Sequence, residues 1–385
     1  MGEWKRVKLG SLIRIKHGYA FPGAGITSDD NGKVLVTPGN FNIGGGFKES
    51  GKKFFSGEFP AEYCLSGGDL IVTMTDLSKA SDTLGYGAIV PSNSDNQYLH
   101  NQRIGLVSIV DEMADRNFIY WLMRTPSYHH EVVAGASGTT VKHTSPSRIY
   151  DVEVELPNLP TQRRIAAVLE ALDDKIEVNR KICENLEAQA QALFKAWFVD
   201  FEPFGGKRPA GWKMGKLGDV AEVTSGKRPP TRSDVADGES VFPLLGAAAI
   251  MGFTSQYMFD EPILVTGRVG THGVIQRSFG RSWPSDNTLV IRAKRFEFVY
   301  QILKRIDYGK MNRGSTQPLI TQSDLKGVEI LIPDEALLNQ FEEAVAPLMR
   351  LQYDKLQESR ALAAMRDALL PKLMSGELAV EKVEG

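Results

Sequence analysis

The side chains best able to do chemistry in this chain are hydrogen-bonding groups set beside glycines. In the second half they are Lys227 and Arg228 after Gly226, Arg268, Thr271 and His272 among Gly267, Gly270 and Gly273, and Arg313, Ser315, Thr316 and Gln317 around Gly314. The first half offers His17, Tyr19, Thr75, Lys79, Arg103, Thr139, Thr140, Lys142 and His143, with Lys142 and His143 foremost. Arginine and lysine suit guanine, asparagine and glutamine suit adenine, and hydroxyls suit either, so loops carrying these groups fit the reading of base edges. A solvated basic surface explains any one of these residues equally well. As a cluster the second-half residues favour recognition; the first half gives a poorer signal, and each histidine taken alone is explained by an ordinary surface or core position.

Catalytic sets are missing. A phosphate-binding P-loop ending at Gly226-Lys227 needs glycine at 221 and a hydroxyl residue at 228, where the chain has Ala221 and Arg228. His129-His130-Glu131 lacks the i, i+4 histidine pair of a zinc protease, and neither Cys64 nor Cys183 has a companion at metal-ligand spacing. There is no Gly-x-Ser-x-Gly nucleophile elbow and no Asp/Asn-Pro-Pro-Tyr/Phe tetrapeptide of the amino-methyltransferases. Asp69 and Asp76 read as strand-end or turn carboxylates. No metal and no cofactor is expected on this chain.

The elements that must carry the loops come in two copies. Trp4-Lys5-Arg6-Val7-Lys8-Leu9-Gly10 returns as Trp212-Lys213-Met214-Gly215-Lys216-Leu217-Gly218, and Gly18 returns as Gly226, both 208 residues later. Gly138-Thr139-Thr140 and Leu156-Pro157 return as Gly314-Ser315-Thr316 and Ile332-Pro333, 176 residues later. A repeat that keeps its ends while its interior shortens by 32 residues is a frame carrying two different inserts. Leu70-Ile71-Val72-Thr73 and Ile263-Leu264-Val265-Thr266 read as buried strands, while Phe118–Met123 and Phe298–Leu303 read as short helices in matching places.

Between and after the inserts, glycine vanishes. Ile165, Leu169, Leu172, Ile176, Cys183, Leu186, Leu193 and Trp197 fall in alternating steps of four and three, the spacing of a coiled-coil seam. Pro160 and Thr161 mark the start, and Pro203 with Gly205-Gly206 the stop. The second such helix, Asp334 to Ser375, puts Phe341, Val345, Leu348, Leu362, Leu369 and Leu373 on its seam. Asn179 in the first, and Gln352 and Lys355 in the second, are polar seam positions suited to fixing register. Each helix of about 40 residues reaches about 60 Å, so it reads as a spacer.

The chain has 385 residues, 42% of them hydrophobic, enough for ordinary packed cores in two or three domains. Met1–Arg6 lacks an apolar signal core and no apolar run approaches the length of a membrane span, so a cytoplasmic location is expected. Cys64 and Cys183, the only two cysteines, fit a reducing compartment. The net charge is −2, but residues 205 to 333 carry 18 Lys and Arg against 12 Asp and Glu, so only the second insert is basic. A protein that gripped DNA by itself would be more basic throughout, so a partner is expected to share the grip.

Taken in order, these features resemble the specificity subunit of type I restriction-modification systems. The resemblance covers almost the whole chain. It rests on the Trp-Lys-x-x-Lys-Leu-Gly openings, on Gly-Thr-Thr-Val-Lys-His and Gly-Ser-Thr-Gln before Leu156-Pro157 and Ile332-Pro333, and on Gln162-Arg163-Arg164-Ile165-Ala166 opening the first spacer. Leu193-Phe194-Lys195-Ala196-Trp197-Phe198 and Leu373-Met374-Ser375-Gly376-Glu377-Leu378 close the two spacers. It implies an α+β protein with two mixed α/β target recognition domains, joined by two long antiparallel coiled-coil helices in a pseudo-two-fold repeat. The expected division is residues 1–157, first recognition domain; 158–204, first spacer; 205–333, second recognition domain; 334–378, second spacer; and 379–385, tail.

The resemblance further implies double-stranded DNA as ligand, each domain reading one half of a bipartite gapped site. Two methyltransferase subunits and the restriction subunits are the implied protein partners. S-adenosylmethionine, ATP and Mg belong on those partners, and this chain is expected to be non-catalytic. The loop residues named at the outset, Thr140, Lys79, Arg103, Thr316 and Gln317 among them, are then the candidates for DNA contact. Arg163 and Arg164 are candidates for partner or phosphate contact, although a solvated helix face serves equally. Phe194, Trp197 and Phe198 are candidates either to dock a methyltransferase subunit or to seal the spacer against its neighbouring domain. The rival functions are a stand-alone coiled-coil DNA-binding or regulatory protein without methyltransferase partners, and an enzyme with an unfamiliar site.

Overall fold

A computed structural model describes residues 4–383 apart from 77, 79–80, 93–94, 139–140 and 312–318. The chain divides into two compact units. One takes the residues up to Glu177 and those from Ser359 onward, and the other is Val178–Glu358. Each long helix, Leu159–Phe198 and Glu335–Met374, contributes one half to each unit.

The repeat landmarks are paired strands. Lys5–Lys8 lies antiparallel to Glu153–Leu156, with Lys5 opposite Leu156. Lys213–Lys216 lies antiparallel to Glu329–Ile332, with Lys213 opposite Ile332. The spacings of 208 and 176 thus mark the two strands of one ribbon that opens and closes each recognition domain.

Within each domain the chain builds an antiparallel four-stranded sheet. In the first domain the order is Ile13–His17, Ile104–Ile109, Leu70–Thr73, Gly87–Ile89; in the second it is Ala221–Ser225, Thr288–Ala293, Ile263–Gly267, Gln276–Ser278. Leu70–Thr73 and Ile263–Gly267 are buried along their whole length, as expected of continuous apolar, β-branched runs in central strands. A second sheet accompanies each first one. It has five strands in the first domain and three in the second, each with one parallel pair, Lys33–Val36 with Gln97–His100 and Phe242–Leu245 with Trp283–Pro284. That difference in the second sheet accompanies the shorter second insert.

Both long helices start at a side-chain cap. Asn158 Oδ1 accepts from Thr161 N at 2.9 Å and Asp334 Oδ1 accepts from Leu337 N at 2.9 Å. The caps are one residue before Leu159-Pro160 and Glu335. The first helix ends at Phe198, short of the expected stop at Pro203, because Val199 N and Asp200 N both turn back to Lys195 O and Phe201 takes a left-handed conformation. Residues Glu202–Phe204 form a separate short turn.

Within each unit the two helix halves run antiparallel. In the first, Asp173 meets Arg366; in the second, Cys183 meets Gln352 while Phe198 packs on Phe341. The expected seam holds at Ile165, Leu169, Cys183, Leu186, Phe341, Val345 and Leu373, all buried. It departs elsewhere: Leu172, Ile176, Leu193, Trp197, Leu348, Leu362 and Leu369 are half-buried, and Phe194, Phe198, Met349 and Leu370 take the inner places. The inner residues step by four, as in 186, 190, 194 and 198, because each helix end packs against a recognition domain as well as against the other helix. A strict heptad seam serves only one neighbour.

Each unit has its own main core. Leu9, Leu70, Phe118, Trp121, Ile165, Leu169 and Leu373 belong to the first, and Phe194, Leu217, Leu264, Phe298 and Phe341 to the second. Among the described residues no helix is long and apolar enough to cross a membrane.

Candidate nucleic-acid interface

The candidate base-reading residues that the structure describes gather at one end of each four-stranded sheet. In the second domain that end is where Ala221–Ser225 and Ile263–Gly267 finish and Thr288–Ala293 begins. Gly226 makes the first crossing possible: a Cβ there would lie 2.2 Å from Ser285 O and 2.5 Å from Pro284 O, so no side chain fits. Lys227 N then donates to Pro284 O at 3.0 Å and Trp283 Nε1 donates to Lys227 O at 2.8 Å, which pins the backbone and leaves the Lys227 and Arg228 side chains exposed.

The loop from Arg268 to Gly273 leaves the neighbouring strand. Arg268 N donates to Asn287 O at 2.8 Å and Arg268 O accepts from Ile320 N at 3.0 Å, so its backbone is held on both sides while its side chain is half-buried. Thr271 is exposed. His272 is tied down: Nδ1 is 3.2 Å from Gly267 O, and Nε2 is buried without a hydrogen-bond partner among the described residues. Its ring shapes the turn.

The first domain repeats this placement. Gly18 follows Ile13–His17, and a Cβ there would lie 2.2 Å from Asn101 O. Tyr19 N donates to His100 O and Gln102 N to Tyr19 O, bringing His17, Tyr19 and exposed Arg103 together. Arg103 O accepts from Met74 N at 2.9 Å, which joins this group to Thr75-Asp76. Lys142 and His143, expected in a loop, form a two-residue strand opposite Asp76 and Thr75, and Thr75 Oγ1 is 3.1 Å from His143 Nδ1. His143 is exposed and Lys142 half-buried.

Asp76, read from sequence as a strand-end or turn carboxylate, ends the strand Thr75-Asp76 and organises this end of the domain. It is 2% exposed and accepts from Ser78 N, Thr83 N, Thr83 Oγ1 and Leu84 N. Burial alone would push its carboxyl up, but these donors hold it below the ordinary carboxylate range. Trp283 has the comparable holding role in the second domain. Neither had a sequence signal beyond its place after a buried strand or before a turn. Lys79, Thr139, Thr140, Arg313, Ser315, Thr316 and Gln317 lie outside the described residues.

The partner-binding candidates have internal partners. Arg163 approaches Asp115 at 3.7 Å and Arg164 pairs with Glu381 at 2.8 Å. Gln162, which the sequence offered only as part of the motif opening the spacer, is fully buried; it accepts from Asp115 N and donates to Met113 O and Pro157 O, each at 2.8 Å. Phe194 and Phe198 are buried against Phe298 and Phe341, and Trp197 stacks edge-on to Phe341, so the cluster seals the helix end against the second domain. Phe194 and Phe198 also line a cavity of about 370 Å³ with Ile302, Arg305 and Leu331. Among the described residues no group of three or more His, Cys, Asp or Glu could hold a metal ion.

Two like domains, each opened and closed by one ribbon, each gathering polar loops at one sheet end and each seated on halves of two long helices, define a two-module recognition scaffold. Over residues 1–188 and 209–340 the chain matches the family described as "Type I restriction modification DNA specificity domain", and it belongs to that family. Among curated relatives, it is similar to the specificity subunit of the type I restriction enzyme MjaIX of Methanocaldococcus jannaschii, 28% identical over 303 residues, covering 69% of this chain and 70% of the relative. It is also similar to the HindI specificity subunit of Haemophilus influenzae, 23% identical over 358 residues, covering 68% and 77%. The solved S subunit of a type I restriction-modification system from M. genitalium shares the fold, with a TM-score of 0.62 at 18% identity, covering 97% of this chain and 96% of that one.

Proposed function

We propose that this specificity subunit reads a bipartite, gapped DNA site, one half-site per recognition domain. The observation that carries the reading is the repetition itself: the same sheet end, reached through the same tight glycine, bears the polar loops in both domains. The inserts differ in length and in their second sheets, so the half-sites differ. Arg103, His143, Lys227, Arg228 and Thr271 are the exposed side chains best placed to contact DNA, with Lys142 and Arg268 beside them.

Only the second insert is basic, so phosphate neutralisation is shared with partners. Two methyltransferase subunits, carrying S-adenosylmethionine, dock along the long helices and methylate adenine N6. Restriction subunits supply the ATP- and Mg-dependent cleavage, in the cytoplasm. The helices set the gap, and this chain contributes recognition and no bond-making step.

The test is to express the chain with its methyltransferase in a host lacking other adenine methylation and to map N6-methyladenine. The expected result is a single two-part motif with a fixed gap. Arg268→Ala lowers methylation by altering preference at the second half-site alone, by about 1–3 kcal/mol for a lost base contact. Absence of any gapped motif with both proteins present sinks the reading.

A further inference from the structure

Each recognition domain is fastened to the helix pair by a buried arginine that no local sequence feature announces. In the first unit this is Arg124, 7% exposed, just past the helix Arg116–Leu122. Its guanidinium lies 4.4 Å from the Trp121 ring centre and 5.3 Å from that of Tyr120. Nε donates to Gly44 O at 3.0 Å, and Nη1 donates to Tyr120 Oη at 2.8 Å and to Asp173 Oδ2 at 2.9 Å. Asp173 stands on the first long helix. Its other oxygen, Oδ1, accepts from Arg366 Nη1 on the second long helix at 2.5 Å. Gly45, at φ +87°, closes the loop over this arginine, since a Cβ there would sit 2.6 Å from Arg124 Cγ. One carboxylate therefore ties together the recognition domain and both helices.

The second unit makes a related fastening from other residues, in which the arginine pairs with Glu297 of its own domain at 3.2 Å and reaches the helices through a neutral amide. Arg277, in the strand Gln276–Ser278, lies 3.6 Å from the Tyr300 ring centre and donates from Nη1 to Gln352 Oε1 at 3.2 Å. Gln352, on the second long helix, donates to Glu187 Oε2 and Cys183 O on the first, and Tyr300 Oη also donates to Glu187. Tyr120 and Tyr300 stand in matching helices, but Arg124 follows its helix whereas Arg277 comes from a strand. The contact has been rebuilt from non-equivalent positions, which argues that the contact matters more than its ancestry.

Buried ion pairs contribute little net stability compared with well-packed apolar side chains. What they provide is direction, because a guanidinium fork satisfies its acceptors in one orientation only. On the footing of the bipartite reading above, we infer that Arg124, Asp173 and Arg366 in one unit, and Arg277, Gln352 and Glu187 in the other, are positioning residues. They fix the angle at which each recognition domain rides on the helices and so the phase at which its half-site is read. One base pair of gap is about 3.4 Å along the duplex, so a small freedom of the domain is enough to blur the gap.

The test uses the complete complex with its methyltransferase subunits and a set of duplexes carrying both half-sites at the natural gap and at gaps one base pair shorter and longer. For Asp173→Asn, methylation at the altered gaps rises roughly tenfold relative to the natural gap, the scale of one charged hydrogen bond lost, while base preference in both half-sites stays as in the wild type. Asp173→Glu restores gap discrimination, and Arg6→Gln, which breaks an exposed pair with Glu153, leaves it unchanged. Should Asp173→Asn fail to fold, Arg124→Lys keeps the charge but loses the fork and shows the same relaxation. Folded variants that keep the wild-type gap preference overturn the clasp alone; a wild-type complex indifferent to the gap overturns the bipartite reading and the clasp with it.

Discussion

Glu297 gives a pH dependence that can be worked through. It sits in the helix Phe296–Arg305, 4% exposed, with Arg277 3.2 Å away and Glu342 and Glu187 also facing it. Burial is the largest influence and outweighs Arg277, so its carboxyl is pushed from 4.5 up to about 7. A proton held more tightly in the folded state stabilises the fold while it is bound. The contribution is complete below the unfolded value of 4.5, decays as pH rises, and is gone above about 7. A displacement of roughly 2.5 pH units at about 1.4 kcal/mol each amounts to about 3 kcal/mol, most of it lost between pH 5 and 7. Glu297→Gln keeps the shape and cannot ionise, so the wild type loses ground relative to it over that interval. Urea denaturation at pH 5, 6, 7 and 8, followed by tryptophan fluorescence, measures both proteins. A difference between wild type and variant that is the same at every pH refutes the reasoning.

Other expectations concern the frame and the core. Gly226→Ala places a methyl group 2.2 Å from Ser285 O and 2.7 Å from Thr288 Oγ1, so it lowers stability by about 1–3 kcal/mol or more in the same denaturation, whereas Gly238→Ala, facing open space, stays within about 0.5 kcal/mol. Phe341→Ala empties a fully buried site among Phe194, Phe198 and Phe298 and costs about 3–5 kcal/mol, read as an earlier transition of the second unit by hydrogen exchange.

The ends of the repeat were legible in sequence because the opening and closing strands of each domain pair with each other, which constrains both copies alike. The long helices were legible from their glycine-free apolar stripe, and Leu70–Thr73 and Ile263–Gly267 from their unbroken apolar runs. The inner face of each helix was harder: Leu348 and Leu369 fit a heptad, yet Met349 and Leu370 are the buried residues, since a third surface draws the stripe round the helix. The described loop candidates fell at one sheet end because Gly18 and Gly226 turn the chain where the strands before them finish, beside the start of the central strand. Lys142 and His143 became a strand by pairing with Thr75-Asp76, a contact across more than sixty positions that local composition does not encode. Arg124, Asp173 and Arg366 were invisible for the same reason: the ring-stacked arginine, the helix carboxylate and its second arginine are each unremarkable until the chain brings them within 3 Å.

The ribbon that opens and closes each domain makes its two ends neighbours. Lys5 faces Leu156, and Lys213 faces Ile332. A segment between those strands leaves and re-enters the frame at one antiparallel pair, so its length can change without moving the junctions. A replacement segment then has two conditions to meet: its ends must join that pair, and its underside must pack on the helix halves beneath it.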